Sequence, residues 1–322
     1  MKKLFISLLA VAALASCAKE DVIVADPGEL IAFNSFVENS TRAAEDPSYG
    51  QNGQPLEAFK VWGTVNGGNG LVSIFSGANV TGTVGTDASG KPNVWTCDVK
   101  QYWIKDAKYK FAALVNAPTT ANAITITNGL PTEVKGFVAD GETDLLYAKN
   151  CGTNDEGIVG LASGNGPVNF NFEHLLSKVK FTVENTSVDA EQYSFKVNNI
   201  VINGYKTGNV TLATKAWDTL SNSGDYEVAE ITVDANETAG THKAECAQEL
   251  LLIPGVFNIA FNVDIYNGDT KLGSQAYPID PAPAAYTQTL KPGYAYNFVI
   301  NVKVGEEITF SVDENPSWTP AA

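Results

Sequence analysis

The chain has 322 residues, 44% of them hydrophobic, and a formal net charge of -15. That length suffices for two domains, and the apolar content excludes a disordered polymer. The acidic balance speaks against nucleic acid and anionic lipid as ligands, because such a surface gains nothing by displacing their counterions.

Lys2 and Lys3, the apolar run from Leu4 to Leu14, and Ala15-Ser16 form an export signal over residues 1–16. The run is too short to cross a bilayer, which takes about 20 apolar residues. Leu14-Ala15-Ser16-Cys17 resembles the lipobox of bacterial lipoproteins, which makes Cys17 the expected site of acylation and holds the mature chain at the outer membrane. Lys19-Glu20-Asp21 is similar to the surface-export signal of Bacteroidales lipoproteins. An isolated apolar strand, Leu30 to Val37, comes next, and then Thr41-Arg42-Ala43 presents an exposed-looking arginine. Cutting between Arg42 and Ala43 would discard that strand.

Beyond Ala43 the pattern alternates apolar and polar residues nearly throughout, which marks half-buried strands. Phe59 to Trp62, Tyr109 to Phe111, Val168 to Phe172, Val179 to Val183, Tyr193 to Val197 and Phe257 to Ile265 are the clear runs. In the longest, Tyr294, Tyr296, Phe298, Ile300, Val302 and Val304 share one face. Turn residues separate the runs at Gly67 to Gly70, Ser89 to Pro92, Asp140-Gly141, Asn203-Gly204 and Asn267-Gly268, the last being a hairpin signal. No long stretch has helical period, although short helices near Leu175 or Ala284 fit the pattern. An all-β chain of β-sandwiches follows. The expected division is a signal at 1–16, a propeptide at 17–42 carrying the removable strand, an N-terminal sandwich at 43–172 and a C-terminal sandwich at 173–322.

Little in the chain could carry chemistry. His174 and His242 lie 68 residues apart without a metal or triad motif around either. Gly67-Gly68-Asn69-Gly70 lacks the Lys-Ser/Thr that ends a phosphate loop. Asp140-Gly141-Glu142-Thr143-Asp144 begins like a calcium loop, but Leu145 stands where glycine is needed and Cys151 where glutamate is needed. No enzyme, metal or other cofactor is expected. Cys97, Cys151 and Cys246 remain after Cys17, and an odd set leaves at least one thiol unpaired within the chain; one bridge or three buried thiols both fit. Trp95 and Trp217 sit among polar residues and are the candidates for stacking on a sugar ring.

Phe172-Glu173-His174-Leu175-Leu176-Ser177-Lys178-Val179 resembles the F-x-H-x-L-(S/A)-K-V segment of the fimbrillin family, lipoprotein pilins of Bacteroidales type V fimbriae. Further pieces match in order. They are Ile31-x-Phe33 with Thr41-Arg42-Ala43, Tyr102-Trp103 before Tyr109-x-Phe111-x-Ala113, and Asn116-Ala117-Pro118. Later come Leu250 to Pro254, Leu290-x-Pro292-Gly293-x-x-Tyr296, and Ile308-x-Phe310 ending at Trp318. The resemblance implies two transthyretin-like β-sandwich domains in tandem. It also implies cleavage after Arg42 by a trypsin-like protease and polymerisation by donor-strand exchange with copies of the chain or related subunits, in support of adhesion to a host or bacterial receptor. Ile31 and Phe33 would lie on the strand lost at cleavage. Ile308, Phe310 and Val312 repeat its period-2 spacing and are the donor-strand candidates; the same residues also suit a last strand of their own domain. The alternatives are an anchor or tip subunit, or a non-polymerising surface lipoprotein that binds glycans.

Overall fold

The computed structural model describes residues 29–37, 48–49, 54–84, 92–161, 164–235, 242–277 and 289–315. Strand is the dominant regular structure of these residues, as the alternation predicts; the helical exceptions among them are single 3-10 turns at Thr153–Asp155 and Ala190–Gln192.

The first half contains β1 (Phe33–Val37), β2 (Ser48–Tyr49), β3 (Gln54–Pro55), β4 (Ala58–Asn66), β5 (Leu71–Val84) and β6 (Pro92–Cys97). It continues with β7 (Lys108–Val115), β8 (Ile124–Thr127), β9 (Leu130–Val138), β10 (Leu146–Asn150), β11 (Ile158–Val159) and β12 (Val168–His174). Its main sheet runs β1-β12-β10-β7-β4-β5-β6, with β11 against β7. The sheet curls so that its two edges, β1 and β6, approach each other around one core. Phe33, Phe59, Phe75, Phe111, Phe170 and Phe172 fill that core. Period-2 geometry explains the pattern along β12, where Val168, Phe170 and Phe172 are buried and Asn169 and Asn171 are exposed. Gly63 in β4 is obligatory for packing: a Cβ there would lie 2.8 Å from the rings of both Phe75 and Phe111.

The second half contains β13 (Ser177–Asn185), β14 (Ser194–Thr211), β15 (Ala216–Val228), β16 (Ile231–Val233) and β17 (Lys243–Glu245). It ends with β18 (Leu250–Leu252), β19 (Asn258–Asn267), β20 (Thr270–Tyr277), β21 (Ala295–Val302) and β22 (Thr309–Asn315). One sheet runs β17-β13-β21-β22 with β18 against β13, and a second runs β20-β19-β14-β9-β8 with β15 and β16 against β14. Phe181 and Phe298 from the first of these and Phe195, Ile202 and Phe261 from the second share a core, which makes this part a sandwich.

The chain passes from the first sheet to the sandwich at Leu175-Leu176, both fully buried. The two parts are nonetheless interleaved. The β8–β9 hairpin leaves the first half and pairs with β14 of the second. Central strands β4 and β7 are covered on both faces: Val61 and Phe111 point into the phenylalanine core, while Trp62, Ala112 and Leu114 pack on the sandwich side with Val134 and Phe137 of β9.

The halves share two devices. Each opens on a strand laid parallel to a later one, β1 along β12 and β13 along β21. Each also has a buried tyrosine whose hydroxyl accepts a backbone N–H from five residues upstream, Tyr109 from Ile104 at 2.6 Å and Tyr296 from Lys291 at 2.9 Å.

The expected hairpin at Asn267-Gly268 joins β19 to β20, with Gly268 at a positive φ of 55°. The expected turn at Asn203-Gly204 is corrected: both residues lie inside β14, opposite Asp225 and Gly224 of β15. The turn propensity of the pair is overridden because β14 has pairing partners on both edges at this point, and Asn203 also faces Asn258 of β19. Cys97, Cys151 and Cys246 are all free thiols.

Candidate functional site

The segment that carries Ile31 and Phe33 is held on both of its edges. Along one edge β1 runs parallel to β12, in the register Phe33–Val168 to Val37–Phe172, and Val168 N–H donates to Ala32 O at 2.7 Å. Along the other edge, just before β1, Leu30 faces Tyr102 in an antiparallel bridge. There Ile31 N–H donates to Gln101 O at 2.8 Å and Trp103 N–H donates to Glu29 O at 3.0 Å.

Side chains reinforce the backbone. Phe33 is 3% exposed and Ile31 2%. The Phe33 ring lies 5.4 Å from Phe75 and 6.0 Å from Phe111, both edge-on, and stacks on Phe170 at 5.8 Å. The strand is therefore an integral wall of the phenylalanine core, although it stands at the end of its sheet.

Tyr109 shapes the second edge. Its hydroxyl accepts from Ile104 N–H and donates to Tyr102 O at 3.3 Å, which brackets Trp103, and its ring lies 4.7 Å from the Trp103 indole. Burial pushes the Tyr109 hydroxyl above its ordinary range, against the opposing effect of the Ile104 hydrogen bond, so it stays a neutral donor. Tyr102-Trp103 stands out in the sequence as a motif, but nothing in it shows that Tyr102 is the partner of Leu30. The two segments lie some seventy residues apart, and only the curl of the sheet brings them together.

Phe310 and Val312 lie on β22, the end strand of the sheet β17-β13-β21-β22, and Ile308 just precedes it. In the single chain β22 is antiparallel to β21, with Phe310 opposite Ile300 and Val312 opposite Phe298. Phe310 is buried, 5.5 Å from Phe298 and 6.1 Å from Tyr277, and Ile308 and Val312 pack partly buried beside it. The first strand and the donor candidate thus occupy different cores.

The remaining candidates are structural in their surroundings. Trp217 donates its indole N–H to Leu175 O at 2.8 Å and lies against Phe137. Trp95, on β6, rests on Phe59 at 5.2 Å. His174 Nδ1 lies 2.6 Å from Asp144 Oδ2, both buried where β12 hands over to β13. Asp140 accepts the backbone N–H groups of Glu142 and Thr143 and the Thr143 hydroxyl, closing a turn. Burial opposes its charge, but those hydrogen bonds prevail and hold the carboxyl below its ordinary range. Asp144 points away from that turn to His174, so the carboxylates of the calcium-like stretch do not converge. Among the described residues no cluster of His, Cys, Asp and Glu is fit to hold a metal, and no helix is long and apolar enough to cross a membrane. Cys17, Arg42, Ala43 and Trp318 lie outside the described residues.

The chain matches the fimbrillin-like family over residues 41–316, most of its length. It belongs to the fimbrillin-like family. Its fold is similar to that of a fimbrial protein from Bacteroides vulgatus, at 15% identity and a TM-score of 0.55, covering 90% of this chain and 99% of that one. A protein from Bacteroides uniformis assigned to cell adhesion is similar at 15% identity and a TM-score of 0.52, covering 90% and 98%. At these identities the likeness is one of fold. No curated protein matches the chain.

Proposed function

We propose that this fimbrillin-like chain is a structural subunit of a surface fimbrium that supports adhesion. It is exported as a lipoprotein acylated on Cys17, cleaved between Arg42 and Ala43, and joined to its neighbours by strand exchange. The observation that carries this reading is the placement of Ile31 and Phe33: on a terminal strand upstream of the cleavable arginine, yet buried in the phenylalanine core. Losing that strand opens a slot of apolar side chains and unpaired backbone groups, which a chain in water cannot leave unfilled. Burying an isoleucine and a phenylalanine is worth about 1.5–3 kcal/mol each, and a strand that also restores the backbone pairing makes a slowly dissociating joint. Ile308, Phe310 and Val312 of another copy match the alternation that the slot demands.

One observation favours a second reading. In the single chain β22 is paired over its length and Phe310 is buried in its own sandwich, so acting as donor requires it to leave β21. A copy that keeps β22 at home accepts a strand without giving one, as an anchor or tip subunit would.

The test is the N-terminus and intact mass of the protein recovered from the cell surface. A chain starting at Ala43 within heat-stable multimers is the expected result, and Arg42→Ala should leave the protein uncleaved and monomeric. A chain that starts at acylated Cys17 and still assembles would sink the strand-exchange reading.

A further inference from the structure

We infer that the segment Gln101 to Trp103 is a second rim of the acceptor slot, and that in the fibre it pairs antiparallel with Glu306 to Ile308 of the incoming subunit. The inference rests on the strand-exchange reading and adds to it a specific site on the acceptor.

In the precursor the rim is already in use. Leu30 faces Tyr102, and the flanking bonds run from Ile31 N–H to Gln101 O and from Trp103 N–H to Glu29 O. That pattern makes residues 30 and 102 a non-hydrogen-bonded antiparallel pair, the closer of the two kinds. When residues up to 42 depart, Gln101 O and Trp103 N–H lose these partners beside a core that still contains Trp103, which is only 4% exposed. The hydrogen bonds from the Tyr109 hydroxyl are internal to this half and do not depend on the departing strand, so they hold Tyr102 and Ile104 in place for a replacement.

The replacement carries the matching text. Glu29-Leu30-Ile31-Ala32-Phe33 and Glu306-Glu307-Ile308-Thr309-Phe310 share Glu-x-Ile-x-Phe at the same spacing. Seating Phe310 in the place of Phe33 puts Ile308 at Ile31, so Ile308 N–H meets Gln101 O, Glu306 O meets Trp103 N–H, and Glu307 faces Tyr102. A strand bonded to β12 alone would be held on one edge; bonded to the rim as well, it is clamped at its leading end. Residues 159–161 lie beside the segment that follows the rim, tied to it by Gly160 N–H to Ala107 O and Asp106 N–H to Gly160 O. With Ile104 they leave Val159 and Leu161 exposed there, apolar surface that the body of a docked neighbour covers.

The test is a disulfide between subunits. Glu307→Cys and Tyr102→Cys are introduced together into the full-length chain, and surface fibres are oxidised and run without reductant. Non-hydrogen-bonded pairs have Cα atoms about 4.5 Å apart, which suits a disulfide. The expected result is a ladder of covalent multimers that collapses to monomer with reductant, absent from either single variant. Those single variants also control for Cys97, Cys151 and Cys246. Fibres that form normally but give no ladder overturn the inference while the strand-exchange reading stands. Recovery of uncleaved monomer from the unmodified chain means that the broader reading itself has failed. If the cysteine pair blocks folding, hydrogen exchange on unmodified protein decides: the Trp103 amide should exchange about tenfold or more slower in the fibre than in cleaved monomer. Equal rates would overturn the inference.

Discussion

Replacing Phe33 by alanine in the uncleaved precursor probes whether the removable strand is part of the core or merely leans on it. Phe33 is 3% exposed and its ring touches three other phenylalanines, Phe75, Phe111 and Phe170. None of these can close the gap easily. Phe75 and Phe111 are already pressed against Gly63, and Phe170 is fixed by the alternation of β12. Truncating a well-enclosed phenylalanine costs about 3–5 kcal/mol, and the poor capacity for collapse here favours the upper half of that range. The assay is urea unfolding of the precursor carrying Arg42→Ala, so that cleavage does not intrude, read by fluorescence and fitted for the midpoint and slope. Phe310→Ala should destabilise through the other core, against Phe261, Tyr277 and Phe298, and the double variant should lose close to the sum because the two rings belong to different cores. A loss below about 1 kcal/mol for Phe33→Ala would refute the reasoning, since a strand that contributes so little leaves no slot worth filling when it is removed.

Two further outcomes concern the turn and the thiols. Asp140 has a folded carboxyl held below its ordinary value of 3.8, so its contribution to stability is fully present above that value and is lost as pH falls through the lower folded one. Asp140→Asn should therefore flatten the acid limb of a stability-versus-pH curve and leave the slope in the neutral region unchanged; an unchanged acid limb would show that the turn carries no such linkage. Burial pushes the Cys151 thiol up to about 11. At pH 8 it should resist a thiol reagent in folded protein and react promptly in denaturant, and rapid labelling of the native chain at Cys151 would contradict its burial.

Much of the fold was legible because strand alternation is a local property. The face shared by Tyr296, Phe298, Ile300 and Val302 and the hairpin at Asn267-Gly268 both follow from neighbouring residues alone. Asn203-Gly204 misled for the same reason: its turn preference is local, while the pairing of β14 with β15 on one edge and β19 on the other is not. The interleaving of the β8–β9 hairpin with the second half, and the coverage of β4 and β7 on both faces, leave only a dense run of apolar residues in the text, which a strand buried on both faces and many other arrangements produce alike.

At the candidate site the division is similar. Ile31 and Phe33 announce a strand by their spacing, and Tyr102-Trp103 stands out by composition, but nothing in either stretch says that Leu30 faces Tyr102. Sequence by itself determined the strand-forming segments, the family resemblance and the repeated Glu-x-Ile-x-Phe, since these depend on the order of residue types along the chain. Only the tertiary structure decided that Phe33 and Phe310 serve different cores, that the first strand is gripped on two edges, and that a tyrosine hydroxyl braces the second of those edges. The grip on the second edge joins residues distant in sequence, Leu30 and Tyr102, and the division into two cores depends on how distant strands pair; both exist only once the sheets have formed and the first has curled around its core.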